Sequence, residues 1–193
     1  VRQIPGITAT AFTNQLPMSE DRDEWGVRFE LDADGQPEQR ASSSFRYAVS
    51  PGYFETMGIP LRRGRLLDER DAANALPVAV ISESLARRKL GQQDPLGRRL
   101  RIGGRPAAPW YTVVGVVGDV KQASLIDSQP DAVYVTTTQW YFADNVQSLV
   151  VRARGNATAL APALRQAIWA VDKDQPISRV ATMESLLAAT AAE

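Results

Sequence analysis

The sequence predicts an α+β fold, and three observations carry that prediction. Short runs of period-two alternation recur along the 193 residues, helical spacings of three and four appear in only a few places, and glycine and proline punctuate the joints between them. Helices packed on an antiparallel or mixed sheet, with the middle of the chain inserted as its own lobe, is the economical arrangement of such parts.

Residues 7–12 read as a first strand after the Pro5-Gly6 break, and 13–24 as an acidic loop. Trp25, Val27, Phe29 and Leu31 alternate with Gly26, Arg28 and Glu30, the pattern of a half-buried strand. Asp32 and Asp34 in the following turn resemble the start of a calcium loop, but the third oxygen ligand and the closing glutamate are not at the required spacing, so no metal is expected. Phe45, Tyr47 and Val49 define another strand, which runs into "SPGYFETMGIPLRRGR". Here Ser50 is expected to cap a helix over 51–57, with Pro51 at its first position, Gly52, Tyr53 and Phe54 in its first turns, and Gly58 as its left-handed stop. Gly64 and Arg65 close the motif.

Val78–Ile81 is a strand, Ser82 a cap, and 83–90 a helix that ends at Gly91. Arg87, Arg88 and Lys89 complement the dipole of its last turn and are expected to face solvent. Leu100 and Ile102 alternate with Arg99 and Arg101, and "WYTVVGVVGDV" is long and valine-rich enough to be a central strand. Its Gly115, Gly118 and Asp119 lack dinucleotide spacing and precede no long helix, so the glycines predict a bulge or a close approach. Strands are expected at 132–138 and 148–155. Leu160, Ala163, Leu164, Ala167, Ile168 and Val171 form a helical stripe facing one core. "ISRVA" is expected as a short strand, and Thr182 as the cap of a last helix from Met183 to about Ala192, with Leu186 and Leu187 docking.

The charge balance is 22 basic to 22 acidic residues, so nothing calls for nucleic acid, and with neither histidine nor cysteine the usual triads, thiolates and zinc sites cannot be assembled. A hydrolase would have to rest on a Ser-Lys pair or on two carboxylates; the only lysines, Lys89, Lys121 and Lys173, each read as solvent-facing, and no convincing carboxylate dyad is present. No enzyme, cofactor or metal is expected. The chain starts at Val1, at what reads as the tail of a helix, and stops inside another, so it is expected to be a piece of a larger protein.

The ordered series "IPGI", "VSPGYFETMGIPLRRGR", "VAVISESLARRKLGQQDPLGRRLRI", "WYTVVGVVGDV", "VYV", "LVVRARG" and "PISRVATMESLL" resembles the MacB-like periplasmic core domain of ABC transporter permeases of the MacB/FtsX/LolC type, most of all the duplicated permeases of unassigned substrate. The resemblance implies a split porter-like βαβ subdomain, residues 1–63 plus 143–193, and an inserted strand-rich Sabre-like lobe, residues 64–142. It implies an extracytoplasmic, periplasmic domain that performs no chemistry and transmits movement from membrane helices to a substrate or partner in export. Its implied partners are its own permease helices, a second permease half or protomer, a separate cytoplasmic ATPase domain acting indirectly, and a periplasmic adaptor protein. It also places the Tyr53 and Phe54 rings in the porter core, with "IPLRRGR" as exit strand and hinge. The competing reading is a small-ligand or lipopeptide module whose cleft is lined by Trp25, Phe29, Tyr53, Trp110, Trp140, Tyr141 and Phe142. Of these, Trp140, Tyr141 and Phe142 are expected to form an exposed contact patch.

Overall fold

A computed structural model describes residues 1–18, 24–31, 33–38, 40–121, 131–142 and 148–190. Among them, nine strands form one mixed sheet. They are β1 (Ile7–Thr13), β2 (Glu24–Phe29), β3 (Ser42–Val49), β4 (Leu61–Gly64), β5 (Val78–Ser82), β6 (Arg99–Ile102), β7 (Tyr111–Val117), β8 (Ala132–Thr136) and β9 (Ser148–Ala153). The spatial order is β2-β6-β7-β5-β8-β3-β1-β9, with β4 added to β7. β2 pairs with β3 as well as β6, so the strands from β2 round to β3 form a closed circuit. The β3–β8 and β5–β7 pairs are parallel and the others antiparallel.

β5 and β8 are buried at every position, so both faces need cover. Alternation sorts their side chains between two clusters. Val78, Val80, Ala132 and Tyr134 join Tyr47, Val49, Tyr53 and Phe54 on one side. Ala79, Ile81, Val133 and Val135 join Val27, Phe29, Leu100 and Ile102 on the other. The first cluster is covered by α1 (Tyr53–Met57) and the second by Leu85 and Leu90 of α2 (Glu83–Leu90). As expected, Ser82 caps α2 by accepting from the Leu85 N–H at 3.3 Å.

The residues grouped as 1–63 and 143–193 meet through β1 and β9, paired from Ile7↔Ala153 to Thr13↔Ser148. The expected boundary at 63/64 falls within β4, and strands from both sides of it share the sheet through β3–β8 and β2–β6.

The C-terminal expectations are corrected. α3 (Ala161–Trp169) follows a 3₁₀ turn and keeps its apolar stripe on one side, but none of its residues is buried and it joins neither cluster. Val171 is 90 % exposed. "ISRVA" forms no strand; a turn in which Trp169 Nε1 donates to the Gln175 carbonyl at 3.1 Å leads into an irregular, largely exposed segment. Leu160, Ala163, Leu164, Ala167 and Ile168 of the stripe are half-buried while the opposite side of α3 is exposed, so the stripe is turned inward without reaching either buried cluster. α4 (Met183–Thr190) is capped by Thr182, which accepts from Ser185 N at 3.1 Å, but only Leu186 docks, Leu187 remaining 38 % exposed.

Gly64 faces Gly115 across β4 and β7. A Cβ at Gly64, which sits at φ +71°, would lie 2.2 Å from the Val114 carbonyl oxygen, and one at Gly115 would lie 2.0 Å from that of Arg65. The expected close approach is therefore a contact between backbones. Gly115→Ala is expected to lower the urea-unfolding free energy by about 1–3 kcal/mol or more, while Gly104→Ala, with open space at its Cβ, should stay within about 0.5 kcal/mol.

Candidate functional site

The motif after β3 is a corner built from three anchors. α1 begins at Tyr53, later than expected, because Gly52 at φ 86° occupies the cap position and no side chain caps the helix. Ser50 is thus not the N-cap: its Oγ accepts from the Phe12 N–H at 2.8 Å and ties the corner to the end of β1. Pro51 lies in the intervening turn. Gly58 ends the helix in the left-handed region as expected, and Arg152 of β9 donates through Nε to the Thr56 carbonyl at 2.8 Å, a cation on carbonyls that the helix leaves open.

Tyr53 and Phe54 are fully buried. Phe54 meets Tyr134 edge-on at 5.0 Å, Tyr47 stacks on Tyr134 at 5.0 Å, and Tyr53 lies 5.7 Å from Phe54. Burial, with Tyr134 alongside, holds the Tyr53 phenol well above its ordinary value, so it is neutral and structural. The motif's aromatics belong to the core.

Its basic end is a latch. Arg65 makes two parallel bonds to Asp71, Nη1 to Oδ2 at 2.8 Å and Nη2 to Oδ1 at 2.7 Å. The Asp71 carbonyl accepts from the Thr136 and Thr138 hydroxyls at 3.1 and 3.0 Å, so the loop after β4 is fastened to the end of β8. Gln139 adds to this fastening: its side chain accepts from Val78 N and donates to the Ala72 and Leu76 carbonyls, each at 3.0 Å.

Trp140, Tyr141 and Phe142 do not form one exposed patch. Tyr141 is 39 % exposed, whereas Trp140 and Phe142 are half-buried. With Trp25 they box in Arg46, whose guanidinium carbon lies 4.1 Å from the Phe142 ring centre, 4.5 Å from Trp25 and 5.0 Å from Trp140. Arg46 is only 5 % exposed; desolvated and faced by three rings, the cation gains from their quadrupoles. The seven aromatics proposed for one cleft are dispersed, since Phe29 and Tyr53 lie in different buried clusters and Trp110 stacks elsewhere with Arg101. A separate depression of about 310 Å³, bordered by Arg2, Thr10, Gly52 and Glu55, contains none of them.

The cations of α2 are more engaged than a solvated face implies. Arg88 pairs with Asp131, Lys89 with Glu38, and Arg87 approaches Asp119 at 3.9 Å. Asp119 also accepts from Ser84 N at 2.7 Å. Of the calcium-loop pair, Asp32 lies outside the described residues, and no group of three or more acidic side chains among those described could hold a metal. No described helix is long and apolar enough to cross a membrane. Arg46, Asp71, Gln139 and Arg152 were not singled out by sequence reasoning. The Arg-Asp spacing of six in "RLLDERD" was the only local signal.

The fold is thus a closed circuit of strands whose first and last strands pair, with its loops fastened by side-chain latches. The chain resembles the periplasmic region of MacB from Actinobacillus actinomycetemcomitans, with TM-score 0.60 at 18 % identity over 88 % of this chain and 70 % of that one. It likewise resembles the extracellular domain of the transporter YknZ from Gram-positive bacteria, with TM-score 0.60 at 13 % identity over 90 % of this chain and 81 % of that one. A macrolide export ATP-binding/permease protein, MacB 2 of Aeromonas hydrophila, is 35 % identical over 94 residues, 48 % of this chain and 14 % of that protein. MacB of Neisseria gonorrhoeae is 35 % identical over 71 residues, 37 % of this chain and 10 % of that protein, so the chain spans a small part of these curated relatives. The family model for the MacB-like periplasmic core domain matches residues 3–168, and the chain belongs to that family.

Two outcomes test the site. Phe142→Ala should lower stability by about 1–3 kcal/mol through loss of ring and cation contacts, and Tyr141→Ala by less than about 0.5 kcal/mol, both read from denaturant midpoints. For the latch, burial pushes Asp71 up, but its bonds from Arg65 and the Asp68 N–H outweigh that and hold the carboxyl below its ordinary value. A carboxyl depressed by folding stabilises fully above its unfolded value of about 3.9 and loses that contribution as pH falls through the folded one. Asp71→Asn should therefore cost about 1–3 kcal/mol at neutral pH, and the gap from the parent should narrow below about pH 4 in pH-dependent urea melts.

Proposed function

We propose that this chain is a non-catalytic extracytoplasmic domain of an ABC transporter permease that transmits movement of membrane helices to a substrate or partner protein during export. One observation carries the reading. β1 and β9 pair antiparallel with Ile7 opposite Ala153, and Arg154 N donates to the Gly6 carbonyl at 2.8 Å, so the chain enters and leaves the sheet side by side. Displacement applied there acts on one edge of a hydrogen-bonded body.

In this reading, residues 1–63 with 143–193 are the porter-like part and 64–142 the inserted Sabre-like part. The β3–β8 and β2–β6 pairs pass load between them, the Arg65–Asp71 latch stiffens the crossing, and "IPLRRGR" serves as exit strand and hinge. ATP hydrolysis belongs to a separate cytoplasmic domain. The partners are the permease's own helices, a second permease half or protomer and a periplasmic adaptor, and the placement is periplasmic.

The chain contains no cysteine, so an introduced pair supplies its only thiols for labelling. Spin labels at Glu69, in the loop after β4, and Arg179, in the C-terminal segment, should change separation when the intact membrane-embedded transporter is trapped with an ATP analogue. An unchanged separation, together with saturable lipopeptide binding to the chain alone, would replace this reading with the ligand module.

A further inference from the structure

We infer that the outer face of β2 and β6 is a docking surface for an acidic segment of a partner protein, gripped by Arg28, Arg99 and Arg101 around Trp110. Val27, Phe29, Leu100 and Ile102 point into the buried cluster, so the alternating residues Arg28, Arg99 and Arg101 lie on the opposite face. Arg28 stands directly across from Arg101 in the β2–β6 register. Like charges facing each other across a strand pair are unfavourable, and no acidic side chain among the described residues neutralises either one. Among the described residues, Glu30 meets Arg99 at 3.3 Å.

The guanidiniums are also oriented. Arg101 lies 4.3 Å and Arg99 5.6 Å from the Trp110 ring centre. Arg101 Nε is enclosed and out of reach of an external group, so the Nη groups are what this face offers. Stacking fixes the planar forks while leaving donors for a carboxylate, which guanidinium binds with two parallel bonds. The rest of the molecule selects the kind of partner. With 22 basic and 22 acidic residues the chain carries no net charge to draw it to an anionic bilayer, and three arginines fall short of the roughly 4–8 cations of lipid-headgroup clusters. Short-range recognition of carboxylates on a protein segment fits this patch.

The inference rests on these side chains alone and stands apart from force transmission, which is tested by label separation. The probe is a fluorescein-labelled oligoglutamate peptide, read by anisotropy against the whole chain. Binding is expected, weakening as salt rises, with R28Q and R101Q each reducing affinity about tenfold. R101K, which keeps the charge but loses the planar fork, should fall between parent and R101Q, and R179Q at an exposed distant site should match the parent. Circular dichroism checks folding, and if R101Q does not fold, R28Q decides. No peptide binding, binding indifferent to R28Q, or Arg28-dependent sedimentation with phosphatidylglycerol vesicles in place of peptide binding would each overturn the proposal.

Discussion

The architecture depends on two strands, β5 and β8, that have no solvent face. Every residue of both is buried, so each side of the sheet must find a cover within a chain that has few helices. On one side a five-residue helix suffices because it delivers two whole aromatic rings, Tyr53 and Phe54, onto Tyr134 and Tyr47. On the other, α2 lays down Leu85 and Leu90. A helix as short as α1 has little stability of its own. It is held by Ser50, Arg152 and its rings, which explains why a motif without catalytic residue types is so heavily specified.

Polar anchoring follows from that economy. The loop from β4 to β5 is fastened by side chains that answer several backbone groups at once. Gln139 answers three backbone groups along the 72–78 stretch, and Asp71 uses both its carboxylate and its carbonyl. Such groups are buried with their partners satisfied, the condition under which polar atoms belong in an interior. Fixed loops on a continuous sheet hold the crossings between its strands in register.

Much of this was legible from local pattern. Alternation located the strands at 25, 45 and 99, breaks and apolar runs those at 7, 78, 111, 132 and 148, and the Ser82, Gly58, Gly91 and Thr182 caps were found by their own chemistry. Misreadings came where a local rule competed with a distant partner. Ser50 fits a cap, yet the unsatisfied Phe12 N–H lies within its reach. Arg46 alternates with apolar neighbours as a solvent-facing residue does, but three rings brought from residues 25, 140 and 142 enclose it. The "ISRVA" segment has strand propensity without a strand beside it. Pairings between residues far apart in sequence leave no periodic trace, so the latches could only be found in three dimensions.

The basic turn of α2 links regions remote along the chain. Its three consecutive cations reach carboxylates at 38, 119 and 131, and its first turn receives Asp119 again through Ser84. Fraying this helix would release three separate stretches together, while any one of them opening alone would leave two tethers in place. The unit of local unfolding on this side is consequently discontinuous in sequence, and amide protons around 38, 83–90, 119 and 131 should exchange as one cooperative group.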